Sequence, residues 1–514
     1  MNILIVHGYF LEGNGSNIYV YNLAKEIKKN GHRAIILSQE NKVNDYSLVD
    51  RIYEFSFGNK TKKMTYKSSA SGYGECILIK PEIQGVLPIY KKEEINGLET
   101  REFHKMKNHE IYSYANLIVS AMENILEEIN IDLVISTHLF PEPFITEIVR
   151  KKYPKLRHLC IVDGNCFYYS YYKNKNLKEF ITPIFPRVDS FIFLNEEIIK
   201  DLIQEFPGCS EKIEMKKNFI PPGVDSDLFK AIYNPEDKNR VYENLKYKIS
   251  NDNGDASFLE DFNPRKDLKI LSYGDFSLEK GIPILVLIFP FIKKYFPEVK
   301  LYITGEGENK KKCEKLINYL SEGSRKEFYS LLEELVEEYG EKYGKDNIYE
   351  ICYFNIFDKT FAEEYFNAGV GIKQNIYFTG YLNHSKLSDF ISLMDLCVFP
   401  VLAKEGFSIS VIEAMSAGIP VIIPENTGMS DIAKILREIY QEETDIQEYK
   451  EINQDQKFLD NIIINIIYIL TFIQNNQDNG KYEDLKRKIA EEVSKKYSWL
   501  SVYENVIKIS RNRS

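Results

Sequence analysis

Glu405-Gly-Phe-Ser-Ile-Ser-Val-Ile-Glu413-Ala-Met-Ser-Ala-Gly-Ile-Pro-Val-Ile422 reads as a loop, a helix and then a strand. Two carboxylates stand eight residues apart across the loop-to-helix turn. Gly406, Phe407 and Ser408 bring backbone N–H groups to a helix N-terminus, which is an anion site in its own right. Glu413 falls about one turn inside that helix. An anion cradle between two acceptors suits a diphosphate that lies between two sets of hydroxyls, as in a sugar nucleotide. A purely structural alternative stands beside this: Ser410 and Glu413 have capping-box spacing, and acids near a helix start favour its dipole.

Working outward, strands alternate with helices on both sides of this stretch. Ile3–Val6 is an apolar strand, Phe10–Asn17 a loop with Gly13 and Gly15, and Ile18–Lys29 has helical spacing of apolar residues. Ala34–Leu37, Leu133–Ser136, Leu159–Val162 and Phe191–Leu194 continue the pattern. Amphipathic helices such as Ile111–Ile129 lie between them. A second alternation places strands at Ile270–Tyr273, Lys300–Thr304, Asn375–Thr379, Leu396–Pro400 and Pro420–Ile423. Such alternation predicts parallel sheets with both faces covered. The fold class is therefore α/β, with two doubly wound Rossmann-like domains. Ligands in such folds bind beyond the C-terminal strand ends, and a cleft between the two domains is the default site. We delimit 1–232 as the N-terminal domain, 233–266 as a polar linker or insertion, 267–480 as the C-terminal domain with a charged helical insertion at about 306–372, and 481–514 as C-terminal helices.

Bulk properties narrow the functions. The 514 residues exceed one ordinary core, and 44% apolar content supports globular folding. A formal net charge of -10 argues against nucleic acid as a partner and against bulk binding to anionic lipid. Met1-Asn-Ile-Leu-Ile-Val reads directly as a strand and lacks a basic leader region, so the expected location is cytoplasmic. The apolar runs Ile282–Ile292 and Ile462–Ile473 fall short of the ~18 residues of a membrane span and read as buried helices. Seven scattered cysteines form no Cys-x-x-Cys pair, so neither a disulfide frame nor a zinc site is expected.

The remaining motifs are weaker singly. Gly13-Asn-Gly15-Ser16 follows the first strand and lets backbone approach a phosphate or sugar, or only makes a turn. The chain lacks Gly-x-Gly-x-x-Gly and a Walker-type Gly-Lys-Ser/Thr, which disfavours a dinucleotide cofactor and a P-loop ATPase. Tyr273-Gly-Asp275-Phe-Ser-Leu-Glu-Lys280-Gly281 offers Lys280 as a point charge for a diphosphate, or as a surface lysine. Ile303-Thr-Gly305-Glu-Gly307 ends the next strand. Asp225-Ser-Asp227 sits in turn chemistry and reads as a capped turn rather than a metal motif. Tyr168-Tyr-Ser-Tyr-Tyr172 stacks on an acceptor or belongs to core or a partner surface, and lone histidines such as His138 read as structural.

In order, these motifs with Asn22-Leu-Ala24, Gly31-His32, Ile220-Pro-Pro-Gly-Val-Asp225, Phe378-Thr-Gly-Tyr381, Asp395-Leu-Cys-Val-Phe-Pro400 and Glu413-Ala-Met-Ser-Ala-Gly-Ile-Pro-Val resemble the family-4-type retaining glycosyltransferases of the GT-B fold. The resemblance covers the chain outside 233–266 and 306–372, and it implies that the C-terminal helices at 481–514 return to the N-terminal domain. It implies a hexosyltransferase with a nucleotide-sugar donor, UDP- or GDP-linked, no further cofactor and no metal. It implies Glu413 on the ribose diol, and Glu405 with Gly406, Phe407 and Ser408 on the sugar and diphosphate. Lys280 would neutralise the diphosphate, with Asp275 and Gly305 nearby. Tyr381 and Leu382 would line the base. The Gly13, Gly15, Ser16 loop would belong to an acceptor domain that also approaches the donor phosphate. The acceptor stays open among glycan, lipid-linked sugar, small molecule and protein, and so does peripheral membrane contact. Two departures stand out. Asp275 replaces the usual arginine, and Asp163-Gly164 falls where the family has histidine-glycine, which makes Asp163 the catalytic-position residue. A carboxylate ~5 Å from a diphosphate is repelled by a few kcal/mol. Asp275 therefore turns away to pair with Lys280, marks an unusual donor, or weakens catalysis. A catalytically reduced binding partner and a sugar-nucleotide epimerase or glycoside phosphorylase remain alternatives on the same scaffold.

Overall fold

The computed structural model describes residues 1–511 apart from 12, 14, 41–47, 56–61, 67–73, 84–85, 91–98, 165, 253, 344–358, 405, 426–427, 445–448 and 454–456. The chain forms two compact units. Unit 1 comprises Met1–Gly223, Glu405–Phe407 and Tyr497–Ser514, and unit 2 comprises Val224–Lys404 and Ser408–Lys496. The sequence set the first boundary near 232 and kept 481–514 together. In the structure the division falls at Gly223, and the helix Lys481–Lys496 packs within unit 2.

Unit 1 is built on strands β1 (Asn2–Val6), β2 (Arg33–Leu37), β3 (Arg51–Phe55), β4 (Lys62–Tyr66), β5 (Glu75–Pro81), β6 (Leu87–Ile89), β7 (Thr100–Glu102), β8 (Leu133–Thr137), β9 (His158–Val162), β10 (Ser190–Phe193) and β11 (Lys217–Phe219). Nine of them form one sheet in the order β11-β10-β9-β8-β1-β2-β5-β3-β4, with β6 and β7 a separate pair. All ladders of the large sheet are parallel except β3 with β4. Period-2 alternation sends Ile3, Ile5, Ala34 and Ile36 to one face, against Tyr19, Val20, Leu23 and Ile27 of the helix Gly15–Lys29. Leu4, Val6, Ile35 and Leu37 take the other face, against Ile118, Met122 and Ile125 of the helix Asn108–Glu128. Trp499, Val502 and Val506 of the last helix, Trp499–Arg511, complete the first of these cores. The Trp499 ring meets Tyr19 edge-on at 5.3 Å.

Unit 2 holds β12 (Lys269–Tyr273), β13 (Lys300–Thr304), β14 (Ile376–Gly380), β15 (Leu396–Val398) and β16 (Val421–Ile422), in the order β14-β13-β12-β15-β16 and parallel throughout. The run 282–292 lies in the buried helix Ile282–Tyr295. The run 462–473 lies in Phe458–Asn476, whose 19 residues make it the one helix among the described residues long and apolar enough to cross a membrane. Its buried residues recur at helical spacing on one face, and Asn465 is buried there, bonding both the N–H and the carbonyl of Lys450. That is the pattern of a core helix. Half of the stretch read as a linker or insertion is the helix Pro235–Asn251, whose Asn244 and Lys248 bond Asp389 at 2.8 and 2.7 Å. The charged insertion supplies the helices Lys310–Glu322, Arg325–Tyr343 and Lys359–Gly369.

At the N-terminal edge of this sheet, Asp395 is 3% exposed. It accepts from the Lys269 backbone N–H at 3.0 Å and lies 3.4 Å from Lys238 Nζ. Burial opposes its charge, but Lys269 and Lys238 outweigh that and hold its carboxyl below the usual range. Lys486 is buried beside them and donates to the Ile232 carbonyl. Burial, then the like charge of Lys238, pushes its amine down to about 7.

Two outcomes follow from these cores. A lysine depressed from 10.5 to about 7 in the fold costs most where both states are charged, below about pH 7, and nothing above pH 10.5. Stability should therefore rise with pH across that window by an amount on the order of 5 kcal/mol. Lys486→Met should flatten the rise in urea unfolding at pH 7 and pH 9.5. Trp499→Ala should weaken the unit 1 transition by about 3–5 kcal/mol, read in the same denaturant series as a lowered midpoint.

Candidate functional site

In unit 2 the candidate residues collect at the C-terminal strand ends. Three loops leave β12, β13 and β14 side by side and are stitched through backbone. Gly274 N–H donates to Thr304 O at 3.0 Å, Phe276 N–H to Glu306 O at 3.1 Å, and Gly305 N–H to Gly380 O at 3.0 Å. Gly305 has φ 133°, and a Cβ there would stand 1.9 Å from Gly274 O. Glycine is thus required by both conformation and contact.

Asp275 Oδ1 accepts from Ser277 N–H at 3.0 Å, so this carboxylate caps its own turn. That turn opens the short 3-10 segment Leu278–Lys280, which Gly281, at φ 70°, closes against the Pro400 carbonyl. Lys280 is half-buried at its end. Beyond β14, Tyr381 is 62% exposed while Leu382 is buried.

The helix that carries Glu413 is Ile409–Ser416, with Ser408 at its N-cap. Ser410 lies inside that helix, so the capping-box alternative for Ser410 and Glu413 does not hold. Ser408 itself makes no side-chain cap hydrogen bond. The Glu413 side chain is 5% exposed, and its Oε1 lies 3.2 Å from His384 Nε2. Tyr273 also faces it: burial first, then the Glu413 carboxylate, raises that phenol well above its ordinary value. The Tyr273 hydroxyl itself donates to the Ser410 carbonyl on the same helix. A buried acid held by an imidazole is a directed acceptor.

Unit 1 holds the other candidates. Gly13 has φ 101° with open space where a Cβ would be, so backbone conformation rather than close approach selects glycine. Gly15 opens the first helix, and Ser16 is buried behind it. Asp163 follows β9, and its Oδ1 lies 2.9 Å from His138 Nδ1. Gly406 packs on it so closely that a Cβ would stand 1.7 Å from the Asp163 carbonyl oxygen. The Asn195 side-chain amide donates to Gly406 O, and Phe407 packs on the core that holds Trp499. The expected cradle is therefore divided: Gly406 and Phe407 belong to unit 1, and Ser408 begins the next segment of unit 2. Glu405 lies outside the described residues.

Sequence reasoning missed the neighbours of Asp163. β1, β8 and β9 are adjacent and parallel, so the residues just past their ends converge. His7 follows β1, is fully buried, and bonds Thr137 Oγ1 at 2.8 Å and Asn17 Oδ1 at 2.9 Å. His138 follows β8 with φ 64°, an uncommon conformation for a non-glycine residue. Its ring stacks on His7 at 5.7 Å and lies 4.5 Å from Tyr90. Its Nε2 is buried with no hydrogen-bond partner. Burial, then His138, pushes His7 down to about 3. For His138 burial opposes the charge, but Asp163 outweighs it and raises the imidazole. Burial pushes the neighbouring Glu142 up to about 7. The signal available in sequence was position alone, one residue past a strand end. Most of the tyrosine run packs within unit 1: Tyr168 OH donates to Asp201 at 3.0 Å, and Lys175 lies 4.3 Å from the Tyr171 and Tyr172 rings. Asp225 Oδ1 caps the N–H groups of Asp227 and Leu228, both at 3.2 Å. Among the described residues no cluster of three or more His, Cys, Asp or Glu is arranged to hold a metal.

Comparison with known proteins adds a family match over part of the chain, and a fold. Residues 358–449, which include Glu413 and His384, match the family described as Glycosyl transferases group 1. No curated protein matches the chain. Among solved structures, a sucrose-phosphate synthase from Thermosynechococcus elongatus aligns with TM-score 0.57 at 15% identity, over 99% of this chain and 98% of that one. HepE of Anabaena, solved with UDP, aligns with TM-score 0.56 at 12% identity, over 99% of each chain. A glycosyltransferase from Rickettsia africae aligns with TM-score 0.55 at 14% identity, over 100% and 99%. The chain has the α/β fold, with parallel sheets, of the GT-B glycosyltransferases.

Proposed function

We propose that this protein is a retaining hexosyltransferase that moves a sugar from a UDP- or GDP-linked donor to an acceptor hydroxyl. The observation that carries this reading is Glu413, a buried acid held by His384 beside the stitched strand-end loops of unit 2. The group 1 family match over 358–449 supports it, as does a fold shared with HepE, which was solved with UDP and with UDP-glucose. In this reading Glu413 accepts from the ribose diol. Lys280 faces the diphosphate, Gly305 lets backbone approach it, and Tyr381 with Leu382 meets the base. Glu405, with the backbone of Gly406–Ser408, holds the transferred sugar. Unit 1 takes the acceptor through the Gly13–Ser16 loop.

Lysine and backbone dipoles supply the stabilisation of the leaving diphosphate, so no metal is needed. Asp275 is accommodated because its carboxylate serves its own turn. At the position where the family has histidine, Asp163 carries an imidazole with it, that of His138. A carboxylate and imidazole in contact can hold a sugar hydroxyl, the contact that the family's histidine would make alone. A reduced binding partner is the second reading, favoured only by the two aspartates.

Thermal shift against UDP, GDP and their sugar conjugates should show stabilisation by one base series, approaching 3 kcal/mol at about 100 times Kd. Glu413→Ala should raise that Kd by roughly 10–100-fold, the loss of one or two hydrogen bonds to a charged acceptor. Asp163→Asn should lower kcat with little change in donor Kd. NMR of the first product formed should show the donor's anomeric configuration. Inversion would remove the retaining assignment, and a protein indifferent to every nucleotide would leave the binding-partner reading.

A further inference from the structure

We propose that His384 is a positioning residue that fixes Glu413 and gives the nucleotide site its preference for an intact ribose diol. The inference rests on the donor-site reading of Glu413 and extends it to a residue outside the motifs that identified the site. His384 is the first residue of the helix His384–Ser392, behind the N-cap Asn383, whose side chain accepts from Lys386 N–H at 3.1 Å. The imidazole is therefore carried on a rigid helix start. Its Nε2 lies 3.2 Å from Glu413 Oε1, and its side chain is 38% exposed where that of Glu413 is 5%.

A second contact fixes the ring. Phe229, 2% exposed, meets His384 edge-on at 6.1 Å. The Phe229 carbonyl in turn accepts from Ser416 Oγ at 2.8 Å, on the same helix that carries Glu413. Glu413, His384, Phe229 and Ser416 thus close a loop of contacts. Turning the imidazole away from the carboxylate disturbs a buried aromatic that is tied back to the acid's own helix. One carboxylate oxygen is committed to the imidazole, which sets the rotamer in which the group meets a ligand. A glutamate without that partner swings among rotamers and meets a diol less well. The cost falls on recognition of the two hydroxyls and not on the diphosphate, which other groups hold.

The test is calorimetric titration of the full chain with three probes: UDP or GDP (whichever binds), its 2′,3′-dideoxy counterpart, and inorganic pyrophosphate. The intact protein should prefer the ribonucleotide over the dideoxy form by about tenfold or more, a difference of ~1.4 kcal/mol. His384→Ala should reduce the preference to threefold or less, with pyrophosphate affinity unchanged within twofold. His384→Gln, which places an amide donor near the Nε2 position, should restore most of it. Two outcomes overturn the proposal: full diol preference in His384→Ala, or loss of pyrophosphate affinity in step with loss of preference, which marks a general packing role. Glu413→Ala separates the underlying reading. If that variant keeps the preference, Glu413 is not the diol acceptor and both readings fall. If it loses the preference while His384→Ala does not, only the positioning role falls. No binding of either ribonucleotide by the intact protein overturns both.

Discussion

Parallel strands end together, and the loops that leave them compete for one narrow strip of space. In unit 2 that competition is resolved by what Gly305 lacks. Its backbone turns at φ 133° against the Gly274 carbonyl, and a single methyl at that point would overlap the oxygen. With the methyl absent, the loops after β12, β13 and β14 share hydrogen bonds and behave as one surface. The features of the candidate donor site hang from that surface: the Asp275 turn that ends at Lys280, the Tyr381-Leu382 step, and the approach to Glu413. A substitution at 305 would therefore act on all of them together.

The opposite edge of the same sheet is organised by charge. Asp395 is buried where β15 begins and meets the backbone and side chain of Lys269, which opens β12. Lys238 reaches it from the helix Pro235–Asn251. One buried carboxylate thus joins two strands and a helix, and the neighbouring Lys486 is pushed toward its neutral form. Unit 1 uses the same device at the other edge of its sheet, where function is sought. There Asp163 and His138 hold each other beside a second histidine. Burial makes such groups expensive alone and directional when paired.

Much of this was legible in the residues. Apolar runs of four or five gave the central strands of both sheets, because strands covered on both faces need no polar alternation. The order of glycines and acids from 273 to 422 gave the loops of unit 2 and the position of Glu413 inside its helix. Other elements were hidden for physical reasons. The helix Pro235–Asn251 is polar because its partners are charged side chains such as Asp389, so it reads as a linker until Asp389 is seen. Residues 51–102 carry β3, β4 and β5, toward one edge of the large sheet, and β6 and β7, a separate pair of three-residue strands. His7 and His138 carry no motif: only the pairing order of β1, β8 and β9 brings them to Asp163. The division at Phe407 is also invisible in sequence, since the motif runs on without a break while Gly406 packs on Asp163 and Asn195.

The last helix of the chain has a consequence for how the protein is made. Trp499 and its neighbours close a core whose other residues lie between Ile3 and Ile220. During synthesis, the earliest sheet leaves the ribosome with that apolar groove open, and the whole of unit 2 must be translated before Trp499 exists to fill it. Of the two units, unit 1 is thus the one whose core waits on residues that follow unit 2 in the chain. Meanwhile it exposes a sticky strip that a chaperone, or a second nascent chain, can find.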